Sequence, residues 1–288
     1  MKMKLAQRIA IGYYKARFKA LSLVSKRTAA KSAFQLFCTP YSGKPRRKTP
    51  PVFHRAEKIR FTHRGLQLHG WRWKPEQWNG KRILIVHGFD SCSYKFDRYI
   101  VPLNREGFEV VAFDAPGHGI SSGKTINAVL YSEAILKTEE MFGSFDGIMA
   151  HSLGGLATSL AFEKLSRQEK RKLVLIAPST ETTTAIDNFL GFLKLPSYLK
   201  ESFNELIIEI ADRPATYFSV KRAVQNITAP ILWIHDEEDQ VCSFEDVKPV
   251  QKLQLPNVEF FITKGLGHSG IYRQNNVFKK IMAFLKDE

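Results

Sequence analysis

From residue 58 onward the chain alternates short apolar runs with stretches of helical spacing. In Lys58–Thr62 and Leu66–Trp73, Ile59 and Phe61 and then Leu66 and Leu68 recur at a period of two. His63, Arg64 and Gly65 separate the two runs, and the pattern predicts a β-hairpin. Ile83–Val86 is apolar throughout and stops before Gly88, the form expected of a strand buried on both faces of a parallel sheet. Residues 108–113, 145–150, 173–177, 231–234 and 258–262 repeat that form. Helical patterns lie between most of these runs; Leu153, Leu156, Ala157, Leu160 and Ala161 are one example. Repeated strand-then-helix units predict the α/β class, with a mostly parallel, doubly wound sheet and helices on both faces. The hairpin would add antiparallel strands at one edge.

Two segments break this rhythm. Residues 181–226 contain helical stretches with Phe189, Phe192, Tyr198 and Phe203 but no strand pattern. They read as a small helical cap inserted over the strand ends, either as an acyl-chain or aromatic pocket or simply packed onto the body. Residues 1–37 read as helix with two apolar stripes, Leu5, Ile9 and Tyr13 on one and Tyr14, Phe18 and Leu21 on the other. Residues 39–51 carry four prolines and four charges and read as a linker. The expected organisation is a helical extension and linker over residues 1–51, then one domain over 52–288 with the insertion at about 181–226.

Charge sharpens the contrast. The net charge is +15, yet residues 1–50 hold 13 Lys and Arg and no acid, so the remainder carries 30 basic residues against 28 acidic ones. A nearly neutral body argues against nucleic acid as a partner. The basic arm has three readings: a helical extension packed on the body, a peripheral contact with an anionic membrane, or an organelle transit peptide. No stretch reaches the roughly 18 uncharged apolar residues of a membrane span. The N-terminus lacks a clean apolar block followed by a cleavage site. Cys38, Cys92 and Cys242 form neither an even set nor a CxxC pair, so reduced thiols and a cytoplasmic location are expected, with no disulfide framework. No pattern calls for a metal or an organic cofactor.

The chemistry concentrates at Ala150-His151-Ser152-Leu153-Gly154-Gly155, between a strand and a helix. A serine hydroxyl is a weak nucleophile that must be lifted out and aimed, and a sharp strand-to-helix turn does this. The helix start then offers free N–H groups and the positive end of its dipole to a developing oxyanion. Small residues two before and two after the serine let the turn pass close to neighbouring backbone. The alternative reading of Ser152 is an ordinary helix N-cap.

Four motifs in order, Val86-His87-Gly88-Phe89, Asp114-Ala-Pro-Gly-His-Gly, the Ser152 turn, and a late acid and histidine, make the chain from about Lys58 onward resemble the α/β-hydrolase superfamily, in its serine hydrolase and esterase branch. Ala150 stands where glycine is the common residue. The resemblance implies a Ser-acid-His order along the chain. In Ile234-His-Asp-Glu-Glu-Asp239-Gln-Val241 it assigns the acid to Asp239, from the family's Asp two residues before a Val. Asp236 is the local rival and sits where a turn glycine is usual. Glu181 is a second rival. His268, among Gly265, Gly267 and Gly270 after the last strand, is the expected base, and His151 is expected to pack. The oxyanion donors implied are the Leu153 and Phe89 backbone N–H groups, while Asp114 and His118 read as loop structure. The function implied is cleavage of a carboxylic ester with an apolar part through an acyl-enzyme. Acyl transfer or thioester cleavage would use the same triad, and a non-catalytic binding module is the reading from another class. A serine at the turn argues against epoxide or halide chemistry, which relatives run with an Asp nucleophile.

Overall fold

A computed structural model describes residues 5–41 and 48–287, with side chains from residue 11 onward. Much of the expected linker, residues 42–47, and the side chains of Leu5 and Ile9 lie outside the described residues. The chain divides into two compact units, one of residues 1–39 and 181–218, the other of 40–180 and 219–288.

The larger unit is built on one eight-stranded sheet: β1 (Glu57–His63), β2 (Leu66–Trp73), β3 (Arg82–Val86), β4 (Glu109–Phe113), β5 (Gly147–His151), β6 (Lys172–Ile176), β7 (Ile231–Asp236) and β8 (Val258–Thr263). Their spatial order is β1-β2-β4-β3-β5-β6-β7-β8. β1, β2 and β4 pair antiparallel, and all pairs from β4 to β8 are parallel. The hairpin closes through Arg64 and Gly65, both at positive φ, as a two-residue turn compatible with strand twist requires. Alternate residues on one face, among them Ile83, Ile85, Val174, Ile176, Leu232 and Ile234, share a core with Tyr99, Leu103, Ile281 and Leu285. Leu84, Val86, Leu173 and Leu175 on the opposite face are equally buried, which explains why the central strands are apolar without alternation.

Eleven α-helices are described: α1 (Leu5–Val24), α2 (Lys26–Phe37), α3 (Asp97–Arg105), α4 (Ala128–Phe142), α5 (Leu153–Phe162), α6 (Thr182–Phe192), α7 (Tyr198–Ala211), α8 (Val220–Val224), α9 (Lys248–Gln251), α10 (Gly267–Gly270) and α11 (Asn275–Lys286). α3 and α11 cover the Ile83 face. α5 covers the other, where Gly154 and Gly155 lie against Val86 and Leu175.

The smaller unit departs from the expected organisation. The continuous helix read over 1–37 is broken at Ser25, whose side chain caps α2 by accepting from the Thr28 N–H. α2 packs on α7 of the insertion, with Phe34 and Phe37 meeting Phe203 and Phe37 also meeting Phe189. α2 is thus a partner of the inserted helices rather than part of a separate extension. The insertion also ends earlier than the expected 226. Val220 N–H donates to Thr180, and α8 packs on α5, where Arg222 pairs with Glu163. Phe203 is fully buried and fills the interior of this unit, whereas Phe192 is 61% exposed.

Candidate active site

In an open α/β sheet, groups at the carboxyl ends of adjacent strands converge where the strand order reverses. β3 is the reversal here, since β4 lies on one side of it and β5 on the other. Gly88 follows β3, Ser152 follows β5, Asp239 follows β7 and His268 follows β8.

Ser152 has φ 55 and ψ −125, a conformation that costs a non-glycine residue on the order of 1–3 kcal/mol. The surroundings impose it. The Ser152 N–H donates to the Ile176 carbonyl, and its own carbonyl accepts from the Ser179 N–H. The close approach inferred around the turn is severe at Gly154, where a Cβ would lie 2.4 Å from the His87 carbonyl oxygen. At Gly88 a Cβ would lie 2.7 Å from the Ser152 Cβ. The loop after β3 therefore runs directly against the turn after β5. Ala150 is fully buried, so its methyl group packs within the core.

His268 lies between the serine and a carboxylate. Its Nδ1 is 2.7 Å from Asp239 Oδ2, and its Nε2 is 3.0 Å from Ser152 Oγ. A carboxylate only accepts, so Nδ1 carries the proton and Nε2 turns its lone pair to the hydroxyl. Asp239 Oδ1 accepts from the Val241 and Cys242 N–H groups at 2.8 and 2.9 Å. Burial works against the Asp239 charge, but the bond from His268 and the two N–H groups hold the carboxyl below the usual carboxylate range. The geometry thus separates the rival acids: Asp239 faces the imidazole, whereas Asp236 does not, and Glu181 opens α6 in the other unit.

Asp236 has a different connection. It is fully buried, and Oδ1 accepts from the Glu238 N–H at 3.1 Å and the Gly267 N–H at 3.1 Å. Oδ2 accepts from Thr263 Oγ1 at 2.8 Å and the Leu266 N–H at 3.0 Å. One carboxylate at the end of β7 thereby holds both the end of β8 and the loop that presents His268. Its pKa is lowered: burial opposes the charge, and the four donors outweigh it. An acid where a turn glycine is usual was the only sequence signal of this tie.

Other side chains fix the surrounding loops. His151 is buried with its pKa lowered to about 3, chiefly by burial and then by His268. Its neutral ring donates Nε2–H to the His268 carbonyl at 3.1 Å, a contact beyond the packing expected from sequence. His87 Nε2 accepts from the Ala115 N–H at 2.9 Å, so Nδ1 carries the proton and donates to the Gly88 carbonyl at 2.8 Å. That bond fixes the planar Gly88–Phe89 peptide and, with it, the direction of the Phe89 N–H. His118 Nε2 accepts from the Asp90 N–H one residue on, and Asp114 accepts from Ser93 and Ile120. Leu153 opens α5, so its N–H has no partner within the helix. Cys242, three residues after Asp239, is buried beside this site. Burial raises its pKa and keeps it protonated. Among the described residues, no cluster of His, Cys, Asp and Glu could hold a metal ion.

An esterase of Pyrococcus furiosus superposes on this chain with a TM-score of 0.62, covering 85% of it and 97% of the esterase at 21% identity. The sequence pattern of the serine aminopeptidase S33 family matches residues 79–211, a span that includes the Ser152 turn and ends before Asp239 and His268. The chain has the α/β-hydrolase fold. Among curated proteins, the chain is 40% identical over 84 residues to the juvenile hormone epoxide hydrolase of Manduca sexta, 24% of this chain and 18% of that protein. It is 23% identical over 155 residues to the human serine hydrolase-like protein 2, covering 51% and 47% of the two chains. The chain therefore spans less than half the length of either relative.

Proposed function

We infer that this chain is a hydrolase that cleaves a carboxylic ester with an apolar acyl or alcohol part, using Ser152 as nucleophile, His268 as base and Asp239 as its orienting acid. The observation that carries the reading is the single imidazole bonded to a carboxylate at 2.7 Å and to a hydroxyl at 3.0 Å. His268 Nε2 takes the Ser152 proton as Oγ attacks the ester carbonyl. The negative oxygen of the tetrahedral intermediate is received by the Leu153 and Phe89 N–H groups, each such donor being worth about 3 kcal/mol of transition-state stabilisation. Collapse breaks the bond to the alkoxy oxygen, and His268 returns the proton to the departing alcohol. Water, deprotonated by His268, then attacks the acyl-serine and frees the acid. Asp239 keeps the required tautomer and stabilises the imidazolium formed in each half-reaction.

Covalent labelling by a fluorophosphonate tests the nucleophile. The wild type labels and Ser152→Ala does not; labelling that survives the substitution refutes the assignment. A panel of short- and long-chain p-nitrophenyl esters tests the substrate class, which is rejected if pure, unlabelled protein from a preparation competent for labelling turns over none of them.

A further inference from the structure

From residue 11 onward, the two sides of α1 have opposite fates. At 100° per residue, Tyr14, Phe18 and Leu21 fall on one side; Phe18 is buried, Tyr14 stacks on it at 5.9 Å, and α1 packs on α2. The other side is a continuous arc that runs from Lys19 through Leu23, Ala16, Ala20, Tyr13 and Val24 to Arg17, every member exposed. Tyr13, Leu23 and Val24 are 58%, 84% and 86% exposed. The centre of this outward arc is apolar, and a cation stands at each edge. Residues 1–50 hold 13 basic residues, and no acid precedes Glu57.

We propose that this outward face of α1 docks on an anionic lipid surface. The amphipathic arrangement suits a helix lying in the interface: Tyr13, Leu23 and Val24 enter the acyl boundary, while Arg17 and Lys19 extend sideways to phosphate and carboxylate headgroups. α1 cannot cross instead, since among the described residues no helix is long and apolar enough to span a membrane. A second copy of the chain is disfavoured as the occupant, because it would set one acid-free basic segment against another. Hydrophobic insertion and headgroup attraction act together here, so binding requires both parts of the face.

The test uses the full chain and sedimentation with vesicles of phosphatidylcholine alone or with phosphatidylserine at about a third of the lipid. The wild type is expected to co-sediment with the anionic vesicles and to be released by high salt. Each basic residue near such a surface is worth about fivefold in partitioning, so Arg17→Gln with Lys19→Gln is expected to weaken binding by roughly 25-fold. Leu23→Asp with Val24→Asp is expected to abolish it. Thermal melting confirms that each variant is folded, and either pair alone is sufficient. Wild-type protein that stays in the supernatant overturns the proposal. So does equal partitioning of wild type and a folded variant, or a wild-type dimer that Leu23→Asp with Val24→Asp dissociates.

Discussion

Asp236→Asn isolates what the buried carboxylate does for the loop that holds His268. The substitution preserves size and removes one charge and one acceptor. If the amide nitrogen replaces Oδ2, it meets Thr263 Oγ1, which can turn to accept, and the Leu266 N–H, which cannot. If it replaces Oδ1, it faces two donors, the Glu238 and Gly267 N–H groups. The better orientation therefore leaves one donor pair opposed, a cost of about 1–3 kcal/mol, and weakens the remaining charge-assisted bonds by about 1 kcal/mol. A loss of about 2–4 kcal/mol in unfolding free energy is expected, read by urea denaturation at neutral pH. The consequence for catalysis is separate: Leu266 and Gly267 immediately precede the imidazole, and an ångström of misplacement there costs up to about a hundredfold in kcat. The pH dependence has a definite sign. The folded-state pKa of Asp236 is depressed, so its contribution to stability is full above the ordinary carboxylate range and is lost as pH falls through the folded value. The gap between wild type and Asp236→Asn should therefore close toward acid pH. Equal stability and equal kcat for the two proteins at neutral pH would refute the tie between β7 and the His268 loop.

Asp239→Asn removes the acceptor that fixes the His268 tautomer, and a fall in kcat of about 10⁴ is expected, with fluorophosphonate labelling slowed in parallel; unchanged steady-state ester hydrolysis would reject Asp239 as the acid. In Gly154→Ala the new Cβ would lie 2.4 Å from the His87 carbonyl and 3.0 Å from the Val86 carbonyl, both rigid backbone. A destabilisation of roughly 1–3 kcal/mol should appear in thermal melting, with slower labelling of Ser152. Phe203→Ala empties the site where Phe34, Phe37 and Phe189 meet. It should cost about 3–5 kcal/mol within that unit and make the segment around Ser25 an early site of limited proteolysis, whereas wild-type cleavage rates there would reject the shared core.

The strands and the turn that lifts Ser152 were legible because they depend on local pattern. Alternation in Ile59, Phe61, Leu66 and Leu68 marked the hairpin, and uninterrupted apolar runs marked strands covered on both faces. Small residues around Ser152 marked backbone crowding, which at Gly154 is contact with His87. Other features were hidden because their partners are remote in sequence. Aromatic spacing in residues 181–226 could not reveal that Phe34 and Phe37 complete the packing of Phe203, more than 160 residues away. The stripe of Tyr14, Phe18 and Leu21 was visible, but that Phe18 would be covered and Tyr13 exposed was not.

The amino-acid order alone determined which segments become strands and helices, where the backbone must turn tightly, and that an acid-free basic arm precedes a nearly neutral body. Tertiary structure decided which carboxylate faces the imidazole. Asp236 and Asp239 are three residues apart and chemically alike, yet one binds the backbone before His268 and the other binds its ring. Periodicity records whether a residue is buried; a hydrogen bond between residues 152 and 268 depends on where β5 and β8 lie across the sheet, and no local pattern contains that distance.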